Sequence, residues 1–546
     1  MAEQPDQPAQ PEKERPVRKP LDRDPSPPRP SSIASVSGRV LDPATAITVK
    51  GVVPRPTVYV GPRLLISTSV DVEGALRVLR AVAEPLGWDV VPETEDPRTA
   101  GLRHGVRPVR LVVASDRATV APDGWTLLQQ TRVQFGVESV RGVGLDHVVF
   151  TAPFDVSHPF DVSHPFDVSH PFDVSHPFDV SHPFDVSHPF DVSHPAGGAS
   201  GPVSTYAVPG SGGRQPIAYV GPQPRRATDA EVAARRPVVA VLDTGCGLHP
   251  WLDPVVERGV MLDGEPIGYT DPVDDPELHG DLVGQLDGMI DPLSGHGTFI
   301  TGLVHQACPD ADILSWRVVP SSGPLVESDW IAALSQVAEL ARRFRSGEEG
   351  GRAIDVLTLS MGYYHETPED ELFDPTLYAI LEDLSRHGTV VVCSAGNDAT
   401  SRPAFPAAFA PWTDGNGPVA TDDECLPIVS VGALNPNGST DALFSNAGPW
   451  VRAFAPGAAV MSTFPTFQGG LQPVARTTAF GRRRESIDPD DFRSGFGVWS
   501  GTSFAAPLFA GCVAAALAPR LAEGDDRDTA VARGWQVVEA LTGIAP

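Results

Sequence analysis

Seven uninterrupted copies of Phe-Asp-Val-Ser-His-Pro, over residues 154–195, constrain this chain more than any other stretch of it. Proline at every sixth position removes a backbone donor and clashes with the preceding helical turn, so the run suits neither a helix nor a sheet interior. An extended, partly polyproline spacer fits, reaching on the order of 100 Å at about 3 Å per residue. Each copy brings one Asp and one His but no closed ligand set, so the repeat is expected to be a tether rather than a metal site. The rest of the 546 residues then has to build separate cores on either side of it.

Before the repeat, residues 1–35 hold nine prolines among many charges, and 1–56 reads as a disordered tail. The pattern changes at 57. Residues 57–67 are strand-like, and 72–86 have helical spacing with Leu76, Leu79, Ala83 and Leu86 on one face. Residues 88–91 and 109–113 read as strands, 124–135 as a second helix and 142–150 as a last strand. The order β-α-β-β-α-β over 57–150 predicts a small α+β ferredoxin-like sandwich. A linker over 151–204 leads to the second core, 205–546. From Pro237 onward apolar strands at 238–242, 313–319, 354–359, 389–393 and 428–431 alternate with helices, one of them at 377–386. Ser328 is expected to cap another helix, running to Arg345. This alternation predicts an α/β fold with a doubly wound, mostly parallel sheet. Such a sheet carries its site at the carboxyl ends of its strands.

Charge and cysteine usage narrow the partners. A formal net charge of −28 disfavours nucleic acid and anionic membrane. Five cysteines without a CxxC pair indicate neither a disulfide framework nor a zinc ribbon. No uninterrupted apolar stretch reaches the 18 or so residues of a membrane span. No secretory h-region is visible near residue 1, so the expectation is a cytoplasmic protein, with export by another route left open.

Three segments supply chemistry at strand ends and helix starts. The strand 238–242 runs into Asp243-Thr-Gly; His296 lies in Ser-Gly-His-Gly-Thr before a helix-like run; Ser503 lies in Gly-Thr-Ser-Phe-Ala-Ala-Pro at the opening of an apolar helix. Each alone is ordinary. Together, in the order Asp, His, Ser on an α/β scaffold, they resemble the signature boxes of the subtilisin-like serine peptidases, with Ser394-Ala-Gly-Asn397 as a fourth match. The resemblance covers about residues 237–541. It implies a serine endopeptidase working through an acyl-enzyme on Ser503, with His296 as base, Asp243 holding its tautomer and Asn397 donating to the oxyanion. It further implies a substrate cleft lined by Ser360, Met361, Gly362, Ala395, Gly396 and Ala404, none of them acidic, and hence an uncharged P1 side chain.

The chemistry requires no cofactor. The loop that holds a tight calcium in many relatives is missing from the short stretch 302–313, although a structural calcium elsewhere stays compatible with the pattern. A polar insertion over 464–499 reads as a lid, a processing loop or a surface excursion, and Cys246 as a thiol-sensitive neighbour or a buried spectator. The resemblance also makes 57–150 prodomain-like, its tail lying in the cleft and being cut near 150–153 by autoprocessing. The competing reading is a permanent recognition module. For the whole chain the alternatives are a dedicated leader-peptide or maturation protease and a catalytically inactive peptide-binding scaffold.

Overall fold

The computed structural model describes residues 22–151 and 206–546, apart from 26, 116–117, 285, 287, 368–375, 421, 469–470, 472, 474, 489 and 523. The hexapeptide repeat lies outside the described residues.

The tail expected over 1–56 takes up defined structure from residue 22. Helix α1 (Pro30–Ser35) leads to strand β1 (Gly38–Val40), which pairs with β2 (Val58–Ser67). Leu41 and Val49 are buried, and Arg23 and Asp24 reach across to the Asp398 carbonyl and to Arg402. Composition measures what a segment can bury by itself. It does not register the strand edge and the surface on which this segment lies.

From β2 the chain continues through α2 (Val72–Ala83), β3 (Trp88–Pro92), β4 (Val106–Val113), α3 (Gly124–Phe135) and β5 (Val143–Thr151). Asp71 and Asp123 cap the two helices through their carboxylates, as short acidic side chains do. The four long strands pair antiparallel in the order β5-β2-β4-β3, the order of a ferredoxin-like sandwich. Trp88, Trp125, Leu64, Leu76 and Leu79 fill the core between sheet and helices.

The larger body is built on strands β6 (Val238–Asp243), β7 (Val256–Arg258), β8 (Asp312–Arg317), β10 (Val356–Leu359), β12 (Val390–Ser394), β13 (Val429–Leu434) and β14 (Ala453–Pro456). Two further strands of two residues each, β9 (Leu325–Val326) and β11 (Met361–Gly362), stand apart from this sheet. The seven strands pair in the order β14-β13-β12-β10-β6-β8-β7, every recorded register parallel. The predicted doubly wound α/β sheet is what the chain forms. Its residues alternate between two cores with the period of a strand. Ala240 and Leu242 pack with α5 (Glu327–Ser346) and α6 (Thr376–Arg386), and Val239 and Val241 with α4 (His296–Ala307), α7 (Thr502–Leu517) and α8 (Arg527–Thr542). Helix α7 with the turn after it is long and apolar enough to cross a membrane, but about two thirds of it is buried inside the molecule and Ser503 lies in its first turn.

The two bodies share a sheet. Strand β5 pairs antiparallel with β9 through Val148 and Val149, and with β11 through Phe150 and Thr151. Here the cap expected of Ser328 is corrected. Helix α5 starts two residues earlier, with Val326 rather than Ser328 at the N-cap and no side-chain cap there. Ser328 instead donates through N and Oγ, each at 3.0 Å, to the Asp146 carboxylate of β5. The helix needs an acceptor for its first free N–H groups, and the smaller body supplies it.

Candidate active site

Strand β6 ends in Asp243 and helix α4 begins at His296, both fully buried. His296 Nδ1 lies 2.6 Å from Asp243 Oδ1, which also accepts the Thr244 N–H at 2.8 Å. Among the described residues His296 Nε2 has no hydrogen-bond partner. The ring packs edge-on against Trp499 and tilted against Phe504, the residue after Ser503, with centroids 5.7 and 5.4 Å away. Close approach explains the glycine after the histidine: a Cβ on Gly297 would lie 2.0 Å from the Gly245 carbonyl oxygen.

Ser503 sits in the first turn of α7, where backbone N–H groups lack helical acceptors. Pro507 falls in the second turn, so the carbonyl four residues back, that of Ser503, loses its helical donor. Ser360 replaces it, Oγ donating to the Ser503 carbonyl at 2.9 Å. In return Ser503 Oγ donates to the Ser360 carbonyl at 3.4 Å. Asn397 follows the end of β12. Its Oδ1 accepts from Thr502 N and Oγ1 at 2.9 and 2.8 Å, which turns the amide nitrogen to the opposite side. Gly396, at φ +99, donates to Thr502 Oγ1, and a Cβ there would meet the Asn446 amide at 2.4 Å. The three boxes and the Asn segment thus converge at the carboxyl end of the sheet.

The residues expected to line the cleft divide by exposure. Met361 and Gly362 form β11 and pair with Thr151 and Phe150 of β5. Ser360, Met361, Ala395 and Ala404 are buried, and Met361 belongs to the core beneath the strand. Tyr363 and Phe405 exchange backbone hydrogen bonds at 2.9 Å, which closes the floor beside Gly362. The exit strand of the smaller body therefore lies between β9 and β11, alongside the expected substrate-binding segment.

Two clusters escaped the sequence reading. Glu277 is buried between the Asp243 turn and the start of α4, with Oε1 accepting from Thr244 Oγ1 at 2.5 Å and Gly297 N at 2.9 Å. Its Oε2 accepts from Thr298 Oγ1 at 2.5 Å and Thr298 N at 3.2 Å. Burial pushes this acid up to about 8, against the pull of those donors. No spacing marks such a residue, since its partners come from separate turns. The second cluster joins the two bodies. His147 of β5 meets Glu327 through Nδ1 at 2.6 Å and Glu366 through Nε2 at 2.8 Å. Burial alone would lower this imidazole, but the two carboxylates raise it to about 10. His365 completes a group of His and Glu side chains close enough to hold a metal ion, yet its Nδ1 accepts the Thr367 N–H at 3.0 Å.

Elsewhere, burial pushes the Cys246 thiol up to about 11, away from the reactive thiolate. Asp310 and Asp312 accept from Ala227 N and Arg226, so both are engaged within the short stretch 302–313. Of the 464–499 insertion, the hairpin Arg476–Ala479 and Arg482–Glu485 is mostly exposed, and Phe464, Phe467 and Phe492 bury its base. It is a surface excursion with an anchored root.

The chain is similar to known proteins. Mycosin-4 of Mycobacterium tuberculosis is 28% identical over 293 residues, covering 50% of this chain and 54% of that protein. The major intracellular serine protease of Bacillus subtilis is 25% identical over 248 residues, covering 42% of this chain and 61% of that one. The chain thus spans about half to three fifths of the length of these curated relatives. Fervidolysin from Fervidobacterium pennivorans, a keratinolytic enzyme related to subtilisin, is 16% identical in its solved structure, which covers 86% of this chain and 56% of its own, with a TM-score of 0.43. The family model for subtilases matches residues 234–531, more than half of the chain. That match encloses Asp243, His296, Asn397 and Ser503, and the chain belongs to the subtilase family.

Proposed function

We propose that the chain is a serine endopeptidase in which Ser503 attacks the scissile carbonyl and His296 takes its proton at Nε2. Asp243 keeps the Nδ1 proton in place and stabilises the imidazolium. The Ser503 backbone N–H and the Asn397 amide receive the oxyanion. His296 then returns the proton to the leaving amine, and water repeats the sequence on the acyl-enzyme. One observation carries this reading: Asp243 Oδ1 lies 2.6 Å from the Nδ1 of a buried His296 whose ring packs on the residue following Ser503. Ser503 Oγ, now turned to the Ser360 carbonyl, has to rotate toward Nε2, as catalytic hydrogen bonds commonly tighten only with substrate bound. The uncharged wall of Ala395, Gly396 and Ala404 supports an uncharged P1 side chain.

The smaller body is proposed to be a prodomain. Its strand β5 pairs with β11 on one side and β9 on the other, the arrangement of a peptide product held by both walls of a cleft. A fluorophosphonate probe tests the central claim. After incubation that allows self-cleavage, wild type is expected to label and Ser503→Ala and His296→Ala to stay unlabelled. An unlabelled wild type would overturn the peptidase reading and leave a peptide-binding scaffold.

A further inference from the structure

Helix α4 carries His296 as its first residue and is preceded by Gly295 in the left-handed region, at φ +82, so no side chain of its own caps it. The missing acceptor comes from Glu277. One carboxylate oxygen takes the Gly297 N–H at 2.9 Å and the other the Thr298 N–H at 3.2 Å. The first oxygen also takes the Thr244 hydroxyl, whose Oγ1 lies 3.2 Å from Asp243 Oδ1 and accepts the Gly297 N–H at 2.7 Å. One buried side chain therefore fixes the residue after Asp243 and the two residues after His296. We propose that Glu277 is a positioning residue that holds the Asp243–His296 pair in register by bridging the β6 turn to the start of α4. The proposal rests on the peptidase reading for its kinetic consequence.

The chemistry of the bridge makes it specific. Each carboxylate oxygen faces one backbone N–H and one hydroxyl. An amide of the same shape offers one acceptor and one NH2, so whichever way Gln turns, its NH2 meets a backbone N–H that cannot turn away. A protonated carboxyl escapes this conflict, since its single hydrogen can point to a threonine oxygen while lone pairs still take the N–H. Glu277→Gln is therefore a near-isosteric variant that strains the bridge without opening a cavity.

In the full chain, Glu277→Gln is expected to lower kcat on the order of 10–100-fold while KM stays within about twofold, as a misplaced catalytic pair would. A second readout needs no activity: the downfield imidazole N–H signal of the Asp243–His296 bond, identified by its loss in His296→Asn. That signal is expected to move or broaden in Glu277→Gln. Thr298→Val removes one hydroxyl only and is expected to act in the same direction more weakly; it replaces Glu277→Gln if the latter fails to fold. An unmoved signal, unchanged kcat, or a rise in KM with kcat preserved would overturn the proposal. A wild type that neither labels nor cleaves would sink the peptidase reading instead, and the imidazole signal would still decide for or against the bridge.

Discussion

At the scale of single residues, the reciprocal bonds between Ser360 and Ser503 follow from a defect that the sequence itself writes into α7. Pro507 leaves the Ser503 carbonyl without its helical donor, and the Ser360 hydroxyl fills the gap. Ser360→Ala should leave that carbonyl buried and unsatisfied, at a cost of about 1–3 kcal/mol. Pro507→Ala would return the backbone N–H four residues on. The penalty of Ser360→Ala is therefore expected to shrink in the Pro507→Ala background, and denaturant unfolding of the four proteins in the cycle measures by how much. Equal penalties in both backgrounds would mean that Ser360 acts otherwise. The same case marks what was legible at this scale. Asp243, His296, Asn397 and Ser503 stand in compact local boxes, each ordinary alone and legible as a set from their order along the chain. Which turn of the helix Pro507 occupies, and so which carbonyl it orphans, depends on where α7 begins, at Thr502, and the box does not mark that residue as the start. Ser360 and Glu277 act on partners from other elements, and nothing local records that.

Among elements, the contact between β5 and α5 is the most consequential, because consecutive residues of one strand do two jobs. Asp146 caps the first turn of α5, and His147 bridges Glu327 in that turn to Glu366 beyond β11. Sequence periodicity found β5 and α5 but had no access to this contact. It also missed β9 and β11, which are two residues long and exist only because β5 lies between them. The bridge carries a pH signature whose sign is fixed. Held at about 10 in the folded protein, His147 binds its proton more tightly than in the unfolded chain, where about 6.5 is normal. Its contribution is thus complete below about 6.5 and is lost as pH rises through about 10. Near pH 6.5, His147→Gln should cost roughly 3–5 kcal/mol, because two buried carboxylates lose their cation. In thermal melts of both proteins on a Ser503→Ala background, the gap is expected to narrow steadily toward pH 10. A gap that stays constant over that window would show that His147 holds the bodies together as a neutral ring.

At the scale of the whole molecule, the repeat announced two bodies on a tether, and the subtilase boxes announced what one of them is. Their shared surface was not legible: Asp146, His147, Glu327 and Glu366 look like ordinary charged residues until folding buries them together. If the smaller body is the prodomain proposed above, that surface sets where the chain should cut itself. Strand β5 stays paired as far as Thr151, so residues up to Thr151 belong to the docked body. The next described residue is Tyr206 in the larger body. Incubated alone and weighed intact, wild type is expected to split between Thr151 and Tyr206, and Ser503→Ala to remain whole. Because β5 already lies beside the cleft of its own chain, the cut should be intramolecular, with a rate unchanged on dilution. A rate that rises with concentration would mean cutting between chains. An intact wild type that still labels with a fluorophosphonate would make the smaller body a permanent partner, one that must leave the cleft each time a substrate enters. The His147 bridge then becomes the contact to break: in that case, and not in the first, raising the pH toward 10 should speed turnover of an added peptide.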